Sequence, residues 1–311
     1  MLAAFSAAPA KAQQQPQTGG WGEGLSIEAP DALPDAAPPG SENTTIIKRS
    51  APSDAGAQNG NARVKLVAML TADGQDIDQG VVWRVFEDLG EQQPPRLLET
   101  HRTAAPAVDL KPGKYIVNAA FGRANLTRNL ELKSGDSATE RFVINAGGLR
   151  VQALVNDKSA SANSLVYEIF EGEPNQLGER TLVMSAAKPG VIYRLNAGIY
   201  HIVSTYGDGN AQIATDVTVE AGKLTEAALS LAAAKVTFGL VTRPGGEAQP
   251  ATQWTIAKPD GEVVKRSVGA LPTHILAPGT YKVTAAQGGR VFERQFEVKD
   301  GDMARIEVLM Q

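Results

Sequence analysis

The chain has 311 residues, of which 42% are hydrophobic, so it is long enough for two or three domains that each bury a core. Thirty basic residues against 34 acidic ones give a net charge of −4. This balance lacks the positive surface that neutralises nucleic-acid phosphates, and we predict no nucleic-acid partner. Because cysteine is absent, disulfides, Cys-ligated zinc and iron–sulfur clusters are excluded.

Residues 1–12, MLAAFSAAPAKA, are mostly small and apolar and end in Ala-Lys-Ala, the pattern that a signal peptidase recognises. The basic start of a signal peptide is missing, so we predict a truncated signal peptide, a translation start upstream of Met1 and a mature chain that begins near Gln13. The alternative is a small-residue terminus that contains the pattern by coincidence. No run reaches the roughly 18 apolar residues of a membrane-spanning helix. The predicted location is periplasmic or extracellular, in a bacterial envelope.

Residues 13–61 are rich in Pro, Gly, Ala, Gln, Ser and Asn and show no period of 2 or 3.6. This composition predicts a disordered arm. Apolar residues around Trp21 and Ile46 offer short docking segments as an alternative, but an unpatterned linker is favoured.

Beyond residue 61 the chain repeats three landmarks in the same order. An aromatic residue two positions before a β-branched one occurs at Trp83, Tyr167 and Trp254. The motif L-x-x-G-x-Y occurs at Leu110–Tyr115, Leu195–Tyr200 and Leu276–Tyr281, and a glycine turn follows at Gly135, Gly222 and Gly301. Three landmarks in register indicate an internal repeat.

Each repeat opens with alternating apolar residues, at Val64–Leu70, Leu149–Val155 and Val236–Val241. Alternation is typical of half-buried strands, and short strands between Gly, Pro, Asn and Asp turns are typical of a sandwich. A repeat of about 80 to 87 residues is large enough for a complete small domain.

The predicted fold class is therefore all-β, with three tandem antiparallel β-sandwich domains of immunoglobulin-like or transthyretin-like type behind the disordered N-terminal segment. The predicted domains are residues 62–146, 147–233 and 234–311. Their connections are short, which predicts an extended rod with limited bending.

The motifs LKPGKY, LNAGIY and LAPGTY, with strands in this order around them, resemble those of bacterial transthyretin-like sandwich domains. These include the carboxypeptidase regulatory-like and Cna-B-like modules of cell-envelope proteins. The resemblance covers residues 62–311 and implies structural, adhesive or carbohydrate-binding roles. Some Cna-B-like domains carry an internal Lys–Asn bond, but Lys65 alternates with the core residues around it, so we reject that bond here.

Three histidines, His101, His201 and His274, raise the question of a metal site. Their positions in the repeats do not correspond, and we expect surface histidines. The turn with Asp73, Asp76 and Asp78 offers oxygen ligands for calcium. It lacks the calcium-loop pattern, and Asp and Gly favour turns on local grounds, so a plain turn is favoured. No metal and no cofactor is predicted.

The strand aromatics Trp83, Tyr167 and Trp254 suit a sugar-stacking platform, but they share the phase of core residues and are predicted to be buried. Phe86 and Phe170 fall on the opposite phase, which predicts an exposed apolar patch and a partner surface in the first two repeats.

Arg128 and Arg294 occupy matching places before the glycine turn, and Thr215 replaces them in the second repeat. A structural salt bridge at the sandwich rim is favoured over an anion site.

No nucleophile, paired carboxylates or other catalytic set is recognisable, and we predict that the chain is not an enzyme. The predicted function is an exported envelope or extracellular protein that acts as a spacer and protein-binding module. Its partner would be another envelope protein or a glycan. The alternatives are an array of carbohydrate-binding modules and an accessory subunit of an envelope enzyme. An enzymatic site would have to be discontinuous in sequence.

Overall fold

The structure, a computed structural model, describes residues 13–17, 60–155, 158–159 and 164–311. The proposed signal peptide and the segments around Trp21 and Ile46 lie outside the described residues. The described residues form 23 strands and no α-helix, which confirms the all-β class.

The first repeat is a sandwich of a three-stranded and a four-stranded sheet. The strand orders are β5-β2-β8 and β4-β3-β6-β7. The strands are β2 (Ala62–Met69), β3 (Val81–Glu87), β4 (Arg96–His101), β5 (Ala107–Leu110), β6 (Gly113–Phe121), β7 (Ala124–Leu132) and β8 (Ser137–Val143).

The second repeat has the same plan with two additions, β1 (Gln13–Gln17) and β10 (Lys158–Ser159), both in its first sheet. That sheet has the order β1-β16-β9-β10, with β13 also on β9, and the other has the order β12-β11-β14-β15. The strands are β9 (Ala146–Val155), β11 (Leu165–Glu171), β12 (Leu182–Ala187), β13 (Ile192–Asn196), β14 (Gly198–Tyr206), β15 (Ala211–Val219) and β16 (Leu224–Leu231). Gln13–Gln17 was predicted to belong to the disordered arm, but in the structure it pairs as a strand.

The third repeat returns to the plan of the first, with the orders β20-β17-β23 and β19-β18-β21-β22. The strands are β17 (Ala234–Val241), β18 (Gln253–Ala257), β19 (Val263–Val268), β20 (Thr273–Leu276), β21 (Gly279–Gln287), β22 (Arg290–Val298) and β23 (Met303–Leu309). In every repeat the first and last strands pair in parallel, as in β2–β8, β9–β16 and β17–β23. The sandwiches are thus antiparallel except for this one ladder.

Each repeat encloses its own core between the two sheets, in clusters that span residues 62–146, 149–231 and 234–308. The period-two pattern explains the burial, because alternate side chains of a strand point to one face. Trp83, Tyr167 and Trp254 lie in these cores, which confirms the core prediction over the sugar platform. The described residues therefore form three separate hydrophobic cores.

The motif L-x-x-G-x-Y folds identically in the three repeats. The tyrosine hydroxyl donates a hydrogen bond to the carbonyl four residues upstream, at 2.7 Å in Tyr115–Lys111 and 2.8 Å in Tyr200–Asn196 and Tyr281–Ala277. This bond ties the turn to the strand that follows it, as in the tyrosine corner of immunoglobulin-like domains. We call each of these turns a tyrosine corner.

Candidate functional site

The repeats are joined by connections of only two residues, 144–145 and 232–233. At both joins, a hairpin tip of one repeat lies against the strand that precedes the tyrosine corner of the next. The β6–β7 tip contacts β13 at the first junction, and the β14–β15 tip contacts β20 at the second. The two junctions are therefore equivalent in position.

At the first junction, the Asn196 side chain joins three backbone groups. Its Nδ2 donates to the carbonyls of Ile144 at 2.9 Å and Asn125 at 3.0 Å, and its Oδ1 accepts from the N–H of Asn125 at 3.1 Å. The N–H of Arg123 also donates to the carbonyl of Arg194 at 3.0 Å. These hydrogen bonds attach the β6–β7 hairpin tip to β13, much as one more pair of residues in a sheet would.

Arg194 adds a second contact to the first junction. Its guanidinium lies 4.0 Å from the centroid of the Phe121 ring, a cation–π arrangement, and desolvation by burial lowers its pKa. Gly122, at φ 65°, lies so close that a Cβ there would stand 2.9 Å from the Arg194 Cβ. The tip therefore needs glycine both for its backbone conformation and for its approach.

The second junction is held by acidic and amide side chains of the β14–β15 tip. The Asp208 Oδ2 atom lies 2.7 Å from His274 Nδ1 and 3.1 Å from Lys265 Nζ. The Asn210 Oδ1 atom accepts from the N–H of Ala277 at 3.0 Å. Asn210 Nδ2 also donates to the hydroxyl of the corner tyrosine at 3.0 Å.

Glycines again permit the close approach at the second junction. A Cβ on Gly207, at φ 76°, would stand 2.5 Å from the Ile275 Cβ, and a Cβ on Gly209 would stand 2.0 Å from the Ile275 carbonyl oxygen. Both distances are shorter than a nonbonded contact, so neither position has room for a side chain. Both junctions are thus close-packed contacts with polar clamps.

The Asp208 carboxylate is the charged centre of the second junction. Desolvation by burial alone would raise its pKa, but hydrogen bonds from His274 and Lys265, together with their charges, lower it below 3.8. The carboxylate is therefore stabilised in its ionised form by the third repeat.

Ser267 completes a chain of contacts that has the order of a catalytic triad. His274 Nε2 lies 2.8 Å from Ser267 Oγ, while its Nδ1 faces Asp208. Ser267 pairs across the sheet with the buried Trp254, so its side chain lies on the core side of β19. Lys265 binds the same Asp208 carboxylate, so this carboxylate is not devoted to orienting the imidazole as in a triad. The geometry favours a latch between repeats over a nucleophile open to substrate.

The histidine prediction is wrong for His274, which is only 5% exposed, lies 6.3 Å from the ring of the core residue Phe238 and contacts Asp208 of the second repeat. His101 and His201 are partly exposed and contact Glu99 at 2.8 Å and Asp216 at 2.6 Å. Among the described residues no group of three His, Asp or Glu side chains is arranged to hold a metal ion.

The patch predicted at Phe86 is not open, because Phe86 is only 1% exposed although its strand phase points outward. On β3 both faces are covered, and the alternation rule assumes one solvated face. Phe170 is half-buried, and its ring lies 6.5 Å from that of His201. The partner surface at Phe170 remains a prediction.

Arg128 and Arg294 bind the last strand of their own repeats. Arg128 donates to the carbonyl of Arg141 at 2.8 Å and lies 3.8 Å from Glu140, while Arg294 donates to the carbonyl of Glu307. Desolvation by burial raises the pKa of Glu140 and the charge of Arg128 opposes this. A salt bridge at the rim of the sandwich was predicted for both arginines. The contact that they have in common is instead a hydrogen bond to a backbone carbonyl of the last strand.

The residues that make the junctions were not predicted from the sequence. A signal was available, because Gly-x-x-Asn follows each of the first two tyrosine corners at the same distance, as Gly122–Asn125 and Gly207–Asn210. The third repeat has Val291 in place of the asparagine. Without the hairpin contacts, the pattern resembles an ordinary turn.

These features define a tandem array of β-sandwich domains with docked junctions. Residues 235–310, which span nearly all of the third repeat, match the family model of the Rhizobiales growth-associated tandem repeat domain. This match covers less than half of the chain. No curated protein matches the chain.

Solved structures with similar domains are distant. The Bacillus anthracis TIE protein is 14% identical with a TM-score of 0.25, and the match covers 81% of this chain and 50% of that one. A streptococcal ancillary pilin is 10% identical, with 81% and 99% covered and a TM-score of 0.29. GBS52, the minor pilin of Streptococcus agalactiae, is 13% identical, with 55% and 95% covered and a TM-score of 0.32.

The chain thus spans half the length of the TIE protein. With TM-scores below 0.5, these likenesses carry no argument about function. They do not single out the transthyretin-like class. Within the described residues, no helix has the length and apolar character needed to cross a bilayer.

Proposed function

We propose that this chain is a non-enzymatic, exported cell-envelope or extracellular protein that serves as a stiff multi-domain spacer and protein-binding module. The observation that carries the proposal is the pair of equivalent docked junctions. A spacer must resist bending, and each junction adds side-chain hydrogen bonds and close packing to a two-residue connection. We also propose domain boundaries at residues 146 and 233, which the short connections at 144–145 and 232–233 support.

The exposed side chains favour a protein-binding spacer over a carbohydrate-binding array. Sugar binding by stacking needs solvent-facing aromatics. In the described part of the chain the exposed large hydrophobic side chains are Leu, Val, Ile and Met, with Leu177 and Met303 the most exposed. Phe170 is the proposed contact with an envelope protein partner.

Stiffness can be measured directly because the chain has no cysteine, so labels can be placed without removing native thiols. Glu131→Cys with Thr218→Cys spans the first junction, and Thr218→Cys with Glu297→Cys spans the second, all at exposed strand positions. Spin-label distance measurements should give one narrow distribution for each pair. Broad distributions across both junctions in the otherwise native chain would refute the spacer proposal.

Export has a separate test. The A-x-A pattern supports cleavage after residue 12, so the protein recovered from its host envelope should begin near Gln13. A cytoplasmic protein with an intact N-terminus would refute export and leave the stiffness result unaffected.

A further inference from the structure

The last strand of each repeat (β8, β16 or β23) pairs with the first strand on one side only. Its other side is an outer edge of the sheet. The N–H groups of Arg63 and Lys235 donate to the carbonyls of Asp136 and Asp302, both at 2.8 Å. Backbone groups in a parallel ladder alternate in direction along the strand. The odd-numbered residues of β8 and β23 therefore direct their N–H and C=O groups to the outer edge.

Arginine covers that edge in the first and third repeats. The carbonyls that Arg128 and Arg294 bind belong to Arg141 and Glu307, both odd-numbered and each six residues after the glycine of its turn. If another strand were added at this outer edge, its N–H groups would donate to these same carbonyls. Each guanidinium therefore occupies an acceptor that an added strand would use. Covering an edge in this way prevents unwanted strand pairing.

The second repeat differs at this place. The N–H of Gly148 donates to the carbonyl of Lys223 at 2.8 Å, so the even-numbered residues of β16 face outward. Ala228 is the outward residue six positions after the turn glycine, and Thr215 stands where the arginines stand. Threonine is too short to cover the edge as a guanidinium does.

A strand occupies this edge in the structure. β1 pairs antiparallel with β16, and Gln13 lies opposite Ala228, the equivalent of the residues that the arginines bind. The pairs that exchange hydrogen bonds place Gln13, Gln15 and Gln17 opposite outward-facing residues of β16.

The single proline of β1 suits this register. Pro16 lies opposite Thr225, which directs its backbone groups inward to β9 rather than to β1. The missing N–H of Pro16 therefore costs no bond to β16. Proline within sheets is restricted to such edge positions, and it discourages a further strand beyond β1.

We propose that the outer edge of β16 is a strand-acceptor site, unique to the second of the three repeats, whose occupant is the Gln13–Gln17 segment of the same chain. Arg128 and Arg294 close the corresponding edges of the other repeats. The 42 residues from 18 to 59 connect the segment to the first repeat. Extended, they would span at most about 140 Å, and an attached segment acts at about millimolar effective concentration. The same-chain segment thus outcompetes that of a second copy in micromolar solution.

Hydrogen exchange followed by mass spectrometry on the full chain tests the site. Peptides that cover β16 should exchange more slowly than those that cover β8 and β23, whose outward amides have no strand partner in the described residues. Gln15→Pro removes an N–H that faces β16 and should speed exchange of the outward β16 amides at least tenfold. Gln14→Pro is the matched control, because residue 14 faces away from β16, and protection should persist.

Thr215→Arg tests the reason for the difference between repeats. The introduced guanidinium should displace β1 and speed exchange in β16 as Gln15→Pro does, while Thr215→Val should leave exchange unchanged. The proposal is overturned if Gln15→Pro and Gln14→Pro behave alike, or if Thr215→Arg leaves β16 protected in a folded chain. Circular dichroism establishes that each variant is folded.

A separate measurement tests whether the strand paired with β16 comes from the same chain or from a second copy. Sedimentation of the native chain from 1 to 100 μM, a range of about two decades around ordinary concentrations, should show a monomer with β16 protected throughout. A dimer whose formation tracks protection of β16, and which Gln15→Pro dissociates, would overturn same-chain occupancy. Neither result bears on the stiffness of the junctions.

Discussion

The two junctions occupy the same place in the fold but use different chemistry. The first depends on the Asn196 amide and on a buried arginine over an aromatic ring. The second depends on the Asp208 carboxylate and two basic side chains, with an asparagine bonded to the corner of the third repeat. In both, a glycine at positive φ brings the hairpin tip into contact.

This difference shows that backbone shape decides where the repeats dock, while the side chains decide how the contact responds to its surroundings. Amide hydrogen bonds are insensitive to pH and weakly affected by salt, whereas a contact between charged groups is screened and titrates. The second junction should therefore be the one that solution conditions weaken.

The largest effect is expected from the glycine of the second hairpin tip. Gly207→Ala places a Cβ against Ile275 and should weaken the junction by about 1–3 kcal/mol. Gly289→Ala is the control, because its φ of 75° matches the 76° of Gly207 and nothing lies within 4 Å of the added Cβ. Label distances across the second junction should broaden for Gly207→Ala only. Equal broadening would show that backbone strain, and not contact, is the cause.

The amide clamps come next. Asn196→Ala removes three hydrogen bonds at the first junction, two of them exposed to water, and should lower the free energy of unfolding by roughly 1–2 kcal/mol. Asn210→Ala also removes three hydrogen bonds, but one of them is long at 3.4 Å and Asp208 still holds the second tip, so it should cost less. Urea unfolding of both variants checks this order, and a larger loss for Asn210→Ala would contradict it.

The tyrosine corners differ in what docks on them. Tyr281→Phe removes a hydroxyl that binds both Ala277 and Asn210, whereas Tyr115→Phe removes a bond to Lys111 alone. Each lost bond is worth about 1 kcal/mol, so Tyr281→Phe should destabilise more and should also broaden the label distances. If Tyr115→Phe proves equally costly, the corner of the third repeat contributes nothing to docking.

The smallest effect is the acid response of the second junction. Since the folded state lowers the pKa of Asp208 below 3.8, its contribution is complete above that pH and is lost as the pH falls through the lowered value. Label distances across the second junction should broaden below about pH 3.8, while those across the first do not. Asp208→Asn should abolish this pH dependence. If the label distances still broaden at low pH in this variant, another titrating group is responsible.

Two tyrosines of the second repeat give the opposite pH dependence, a loss of stability at alkaline pH. Burial, with a smaller contribution from Glu171, raises the pKa of Tyr200 to about 12, and burial also raises that of Tyr167. Because the folded state raises the pKa of Tyr200, the contribution of this group to stability is fully present below pH 10 and is lost as the pH rises through about 12. This agrees with a corner whose hydroxyl must stay protonated to donate its bond.

Much of the fold was predictable from local pattern. Alternation in β14 and β21 is strong because one face is buried, and the glycine turns are marked by Gly135, Gly222 and Gly301, all at positive φ. The alternation rule failed at Phe86, where both faces of β3 are covered. The surface prediction for His274 came from its position in the repeat, and it failed because His274 shares the buried phase of Leu276 and faces Asp208 of the neighbouring repeat. Burial by a segment distant in sequence leaves no periodic signal.

By itself, the sequence determined the all-β class, the threefold repeat, the core aromatics and the missing thiol chemistry, because each depends on composition or on local spacing. Only the tertiary structure decided which turns dock, how Asp208 meets His274, and why Arg128 and Arg294 matter. These contacts join residues that are far apart in the chain, and the relative placement of strands sets them. The partnership of Gln13–Gln17 with β16 is the clearest case, since backbone hydrogen bonds carry it and no side-chain pattern announces it.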